Sequence, residues 1–312
     1  MSAKPKVVCI VGPTASGKTA LGIEIAKRLD GEIISADSMQ IYKGMPVASA
    51  VPTEEEKQGI KHHLMEICDP SDQQTVAKFK ELATEKIKEV LERGKTPIIV
   101  GGTGLYIDAV VNNITYTPEE ADPELRKKLE DEYDAIGGER MLEKLKSIDE
   151  TAANRISKND KKRIVRALEL YYNSNVTVTK QYENSRKIES PYEFIVIGLK
   201  YADRQKLYDR INKRVDIMLE NGLLDEAKRF YDKKGQKNGG FAAIGHKELF
   251  PFFDGEIKLE EAAENLKMQT RRYAKRQLTW FNKNGEINWI YPDVTEDVTG
   301  EAEKILKRRQ ML

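Results

Sequence analysis

The sequence predicts an α/β protein: a parallel sheet flanked by helices, interrupted by an inserted all-helical domain. Three observations carry that prediction. Short β-branched runs alternate with helical patterns along both ends of the chain. A glycine-rich loop closes the first of those runs. Between about residues 112 and 192 the alternation lapses and only helical spacing remains.

Strands are expected at 6–11, 32–36, 96–101, 194–199 and 287–291. The first, third and fourth are nearly continuous apolar runs, the pattern of parallel strands covered on both faces. Helices are expected at 19–29 and 76–93, the second closed by Gly94 as a C-cap. The insertion opens with TPEEADPELRKKLEDEY, a helix N-terminal signature followed by charged helical spacing. Helical patterns return over 203–231, 245–253 and 259–282, and the tail 295–312 reads as a basic terminal helix. The expected division is therefore a core from 1–112 and 193–312, with the insertion spanning 113–192.

Bulk properties narrow the function. At 312 residues the chain can bury a large core. With 39% hydrophobic and 33% charged residues and a net charge of +1, it is not globally basic, so nucleic-acid binding would have to come from local patches. Two cysteines, Cys9 and Cys68, and no C-x-x-C pair argue against a disulfide scaffold or zinc ribbon and fit a reducing compartment. Only His62, His63 and His246 are present, too few for a histidine-rich metal centre. No apolar run approaches the ~20 residues of a membrane span. The opening MSAKPKVVCIVG is too short in apolar residues for a signal peptide, so a cytoplasmic protein is expected.

Residues Gly12, Pro13, Thr14, Ala15, Ser16, Gly17, Lys18 and Thr19 match G-x-x-x-x-G-K-[ST] between a strand and a helix. Loop amides and a helix N-terminus can converge there on phosphate oxygens. Lys18 adds a cation, and the Thr19 hydroxyl suits Mg²⁺. A P-loop NTPase-like core follows. An ATPase usually carries an acid at the end of a neighbouring apolar strand, yet TPIIVGG ends in Gly101-Gly102-Thr103. The nearest acid at a strand end is Asp37 in EIISADSMQ. It reads either as a metal ligand or as a general base, with Ser38 and Gln40 positioning an acceptor. On these features alone a small-molecule kinase remains the favourite.

Three basic stretches shift that balance. RISKNDKKRIVRAL (155–168) holds six cations and one acid. DRQKLYDRINKRVD (203–216) places Arg210 and Arg214 at i, i+4. TRRYAKRQLTWF (270–281) has four cations in six positions and then Trp280 and Phe281. Cations interleaved with aromatics suit a nucleic-acid backbone with a base to stack upon. The plainer readings are a solvated face and a core tryptophan.

In order along the chain, GPTASGKT, DSMQIYKGM, HHLMEICDP, GGTGLY, NDKKRIVRALELY, RINKRVDIMLENGLLDE, AAIGHKEL and TRRYAKRQLTWF resemble the tRNA dimethylallyltransferase (tRNA isopentenyltransferase) family over almost the whole chain. The resemblance implies transfer of a dimethylallyl group from dimethylallyl diphosphate to N6 of the adenosine 3′ of the anticodon, with release of diphosphate. It implies that the loop 12–19, with Lys18, Thr19-bound Mg²⁺ and Arg214, stabilises the leaving diphosphate. Asp37 is implied as the base, and Thr103 as lining the path between donor and acceptor. The acceptor adenine would be flipped out and held by Asp37, Ser38, Met39 and Gln40. Lys162, Arg163, Ile164, Val165 and Arg166 match one tRNA-contacting segment. Lys275, Arg276, Gln277, Leu278, Thr279, Trp280, Phe281 and Asn282 match another, and the helical insertion would grip the anticodon stem-loop.

The chain departs from the family at Pro46-Val-Ala-Ser-Ala-Val51, where Asp-Ile-Gly-Thr-Ala-Lys is usual, and at His246, where tyrosine is commoner. Nothing after Trp289 resembles the zinc finger of eukaryotic members, which suggests a bacterial-type enzyme, expected to be a monomer. The competing readings are a dimethylallyltransferase acting on free adenine nucleotides and a nucleoside or nucleotide kinase.

Overall fold

The computed structural model describes residues 4–116, 122–185, 188–233 and 239–312. Residues 117–121, where the sequence places the opening of the insertion's first helix, lie outside the described residues. The chain divides into two compact units, one formed by Met1–Val110 with Pro191–Leu312 and the other by Val111–Ser190.

The larger unit is built on six parallel strands: β1 (Lys6–Val11), β2 (Gly31–Ser35), β3 (His62–His63), β4 (Thr96–Gly101), β5 (Glu193–Leu199) and β6 (Asn288–Ile290). Their order across the sheet is β3-β2-β4-β1-β5-β6. β1 is central, paired with β4 through Val8↔Ile98 and with β5 through Val8↔Ile195. All of Val7 to Val11 are fully buried, as a strand covered on both faces requires. One face is covered by α1 (Lys18–Arg28), whose Leu21 and Ile25 pack with Ile10, Ile33, Ile98 and Ile197.

A second helical turn, α2 (Pro46–Ser49), begins with proline at its first position, where no N–H is missed. The helix α3 (Val76–Glu92) is N-capped by Thr75 Oγ1, which accepts the Lys78 N–H at 3.2 Å. It buries Phe79, Ala83, Ile87 and Val90, and Phe79 stacks on Tyr106 of α4 (Gly104–Val111) at 4.0 Å.

The smaller unit is helical. Its main helices are α5 (Pro123–Ile136), α6 (Gly138–Lys146) and α7 (Lys161–Ser174). Asp122 and Asp160 cap α5 and α7 by accepting N–H bonds from Leu125 and Arg163. Leu129, Met141, Leu145, Ile164, Val165 and Leu168 form its core.

The larger unit ends with α8 (Arg204–Glu220), α9 (Leu223–Tyr231), α10 (Leu259–Phe281) and α11 (Val298–Arg308). Two sequence expectations are corrected here. The helix expected over 203–231 breaks at Asn221-Gly222, where Gly222 has φ +88°. The stretch 245–253 is not one helix but a 3₁₀ turn at Lys247–Leu249 followed by Phe250–Phe253, with Pro251 at its start. The edge strand β3 went unpredicted, because two residues carry no periodicity; it is fixed by pairing with Ile33 and Ile34.

Candidate active site

The order β2-β4-β1 brings three motifs to neighbouring carboxyl ends of strands, where open α/β sheets place their sites. Asp37 follows β2, Gly101-Gly102-Thr103 ends β4, and the loop 12–19 follows β1. The strand ends are tightly opposed. A Cβ on Gly101 would lie 2.2 Å from the Ala36 carbonyl oxygen, so the glycine is a steric requirement.

The loop 12–19 turns through Ala15 at φ +62° and Gly17 at φ +96° before entering α1. It is braced from two helices. Gln277 of α10 accepts the Thr14 N–H at 2.9 Å and donates to the Gly102 carbonyl at 2.9 Å, tying the loop to the end of β4. Arg210 of α8 donates to the Ala15 carbonyl at 3.0 Å. Lys18 Nζ folds back to the Pro13 carbonyl at 3.2 Å. Ser16 Oγ is buried with no partner among the described residues.

Lys18, Thr14, Thr19, Asp37, Gln40 and Arg214 line one pocket, together with Ser49, Ala50, His62 and Met65. Burial pushes Lys18 down to about 8, and the charge of Arg214 adds to that against the opposing pull of Asp37. Burial likewise lowers Arg214 below the ordinary arginine range, again opposed by Asp37. Two cations crowded this way raise their own electrostatic cost, which an anionic ligand would relieve.

Asp37 is held by its own turn: Oδ1 accepts the Met39 N–H at 2.9 Å and the Gln40 N–H at 3.4 Å. Thr103 Oγ1 accepts the Ser38 N–H at 3.0 Å, which fixes the turn to the end of β4. The sequence reading missed Tyr273. Its hydroxyl reaches Thr103 and Gln277, and burial, followed by the nearby Asp37 charge, raises its pKa well above the tyrosine range. The available signal was its spacing: Tyr273, Gln277 and Trp280 fall at i, i+4 and i+7 on one face of α10.

Ser38 and Met39 of the same turn line a second cavity of about 300 Å³, with Tyr42, Gln73, Gln74, Thr75, Tyr106 and Gly239. The Asp37–Gln40 turn therefore touches both an electropositive pocket and a cavity lined by aromatic and amide side chains. Among the described residues no cluster of three His, Cys, Asp or Glu side chains is arranged to hold a metal.

The two basic segments split by face. In α7, Lys162, Arg163 and Arg166 are exposed while Ile164 and Val165 are buried in the unit's core. In α10, Lys275, Arg276 and Thr279 are exposed, and so is Asn282 just beyond it. Gln277 and Phe281 are buried, and Leu278 packs beside Leu207 and Ile211. Trp280 is half-buried. Its Nε1–H donates to Asp108 Oδ2 at 2.7 Å, and a Cβ on Gly104 would lie 2.3 Å from its ring. The side chains of the two segments therefore divide between surface and core. Helical periodicity turns Ile164, Val165, Gln277, Leu278 and Phe281 inward, and Trp280 anchors the helix to α4.

Fold and site together define a phosphate-loop protein with two cations and a turn-held acid lining one pocket, without the usual acid on the adjoining strand. Residues 40–284 match the family model described as IPP transferase, and the chain belongs to that family. It is 49% identical over 302 residues to a tRNA dimethylallyltransferase of Acetivibrio thermocellus, covering 96% of this chain and 95% of the relative. It is 46% identical over 301 residues to one of Bacillus subtilis, covering 96% and 95%. Among solved structures it is similar to the full-length tRNA isopentenylpyrophosphate transferase of Bacillus halodurans, at TM-score 0.71 and 43% identity, covering 98% of both chains. A eukaryotic dimethylallyltransferase acting on tRNA matches at TM-score 0.80 and 29% identity, covering 98% of this chain and 79% of that one. No helix among the described residues is long and apolar enough to cross a membrane.

Proposed function

We propose that this chain transfers the dimethylallyl group of dimethylallyl diphosphate to N6 of the adenosine 3′ of the anticodon in tRNA, releasing diphosphate. The observation that carries this reading is the Asp37 turn, which lines both the electropositive pocket and the cavity beside Tyr42 and Tyr106.

The diphosphate lies on the loop 12–19 with Lys18 and Arg214, and the flipped adenine enters from the Tyr42 side. The allylic C–O bond breaks with its electron pair passing to the diphosphate. The N6–C bond forms at the same carbon, and the N6 proton passes to the Asp37 carboxylate. Thr103 and Tyr273 keep Asp37 oriented at the junction. Lys18 and Arg214, already desolvated, stabilise the developing diphosphate charge without reorganising.

A Mg²⁺ ion fits these residues as a phosphate-held ion, with the Thr19 hydroxyl and the Asp37 carboxylate lining the same pocket. When bound, it would neutralise diphosphate oxygens. The exposed cations Lys162, Arg163, Lys275 and Arg276 hold tRNA phosphates. The protein is taken to act in the cytoplasm, as a monomer.

The test is incubation of the chain with dimethylallyl diphosphate, Mg²⁺ and unmodified tRNA, followed by nucleoside mass analysis and diphosphate release. N6-dimethylallyladenosine is expected in tRNA. ATP consumption, or equal alkylation of free AMP, would overturn the reading in favour of a kinase or a free-nucleotide transferase.

A further inference from the structure

Two stretches that the transfer chemistry leaves unused, Gly222–Glu226 and Gly245–Glu248, meet behind the loop 46–51. The Glu226 carboxylate is 1% exposed. Its Oε2 accepts the Val47 N–H at 2.8 Å, and its Oε1 accepts the Ala48 N–H at 2.9 Å. The His246 Nε2–H donates to the same Oε1 at 2.8 Å, and the imidazole stacks on Phe230 at 4.4 Å and 25°. A carboxylate removed from water is costly unless its lone pairs are used, and here three N–H groups use them. The approach is close. Gly245 has φ +123°, and a Cβ there would come within 2.9 Å of Ala48 Cβ.

The loop held from behind is the one that lines the electropositive pocket with Ser49 and Ala50. From the front, Gln40 Nε2 donates to the Ser49 and Ala50 carbonyls at 3.3 and 3.0 Å, and Gln40 Oε1 accepts from Ser35 Oγ at 2.8 Å. Gln40 belongs to the turn whose amides hold Asp37. Hydrogen bonds at either end and the backbone of residues 47–50 between them therefore connect His246 and Glu226 to Gln40 and Asp37.

We propose that Glu226 and His246 are positioning residues for the transfer: as a buried clamp they fix the 46–51 loop and, through Gln40, the Asp37 turn. The proposal rests on the function given above. Neither side chain lines the pocket, so both act only through the loop.

The experiment compares Glu226→Ala, His246→Phe and His246→Gln in the full chain with the wild type. The readouts are kcat and KM for dimethylallyl diphosphate, tRNA Kd, and the folded fraction from thermal melts. His246→Phe keeps the ring on Phe230 but has no N–H to donate; His246→Gln restores an N–H donor. The expected result is at least a fivefold loss of kcat per folded molecule in Glu226→Ala and His246→Phe. The tRNA Kd should stay within twofold, and His246→Gln should recover to within twofold of wild type. If Glu226→Ala does not fold, His246→Phe decides. A smaller kcat loss in His246→Phe, or His246→Gln as slow as His246→Phe, would overturn the clamp alone. A wild-type chain that does not prenylate tRNA would overturn the functional reading and the clamp with it.

Discussion

The phosphate-loop unit and the helical unit both carry many cations, but they treat them in opposite ways. In the helical unit the cations sit at the surface and mostly face carboxylates: Lys161 with Asp134 at 2.6 Å, Arg163 with Asp160 at 3.3 Å, and Arg126 and Arg166 with Glu169 at 2.8 and 3.0 Å. At the pocket, Lys18 and Arg214 are driven from water, and no carboxylate among the described residues forms an ion pair with either within 4.0 Å. The pairs open to solvent on both sides, Lys161–Asp134 and Arg163–Asp160, contribute about 0–1 kcal/mol each and are exchangeable for RNA phosphates, whereas Glu169 is buried and holds Arg126 and Arg166 as its counter-charges. Buried cations of the second kind are costly unless an anion neutralises them. Position, rather than the number of charges, separates the two sets.

The comparison breaks most sharply at Asp37. Asp37→Asn keeps a side-chain oxygen for the Met39 amide but cannot take the N6 proton. A loss in kcat of about 10²–10⁴ is expected, with tRNA Kd unchanged, in single-turnover assays. An unchanged kcat would remove Asp37 as the base.

Lys18 comes next. Its proton is held only up to about pH 8 in the free protein, against an ordinary value of 10.5. Inorganic pyrophosphate should therefore bind best below pH 8. Its affinity should weaken by up to about tenfold per pH unit above that, and Lys18→Met should abolish this dependence in calorimetric titrations. Without ligand the sign reverses. Between pH 8 and 10.5 the unfolded chain keeps a proton that the folded chain has released, so this site makes folding more favourable as pH rises.

The helical unit gives a smaller, salt-dependent effect. Lys162→Ala with Arg163→Ala should weaken tRNA binding about tenfold at low salt, reduce the steepness of the salt dependence, and leave kcat at saturating tRNA unchanged. A kcat loss at saturation would place these cations in the chemistry.

These regions also differed in how far the sequence revealed them. The loop 12–19 and the strands β1 and β4 were legible because their signals are local: glycine spacing, a strand before, a helix after. Asp37 stood out as an acid at a strand end, and Arg214 through its motif and helical spacing. Tyr273, Gln277 and the Glu226–His246 pair were not legible as supports of the site, because their meaning depends on which helix packs against which loop. Gln277 lies 263 residues from Thr14, whose amide it accepts, and Glu226 lies 179 residues from Val47. Trp280 was legible as an aromatic after a cation-rich run, but not its tie to α4, where its Nε1–H donates to Asp108 at 2.7 Å.

Arg93 supplies the control for the opening contrast, because it is a cation in the phosphate-loop unit with a structural partner. Its guanidinium donates to Glu32 at 2.6 and 3.3 Å, and His63 Nε2 bonds to the same carboxylate at 2.6 Å. Burial opposes ionisation of Glu32, but the bonds from Arg93 and then His63 outweigh it and hold the carboxyl at about 2. A carboxyl depressed in the folded state contributes stability that is present above its ordinary value of 4.5 and lost as pH falls from there towards 2. Glu32→Gln should therefore cost about 2 kcal/mol at neutral pH, measured by urea unfolding, and the gap from wild type should narrow as pH falls below 4.5. The variant should retain wild-type kcat and tRNA affinity, because none of Glu32, His63 and Arg93 lines the pocket. A gap that kept its full neutral-pH size down to about pH 2 would mean that shape, rather than the paired charge, holds that edge. Wild-type activity with the predicted gap would separate cations that a carboxylate neutralises from those reserved for the diphosphate.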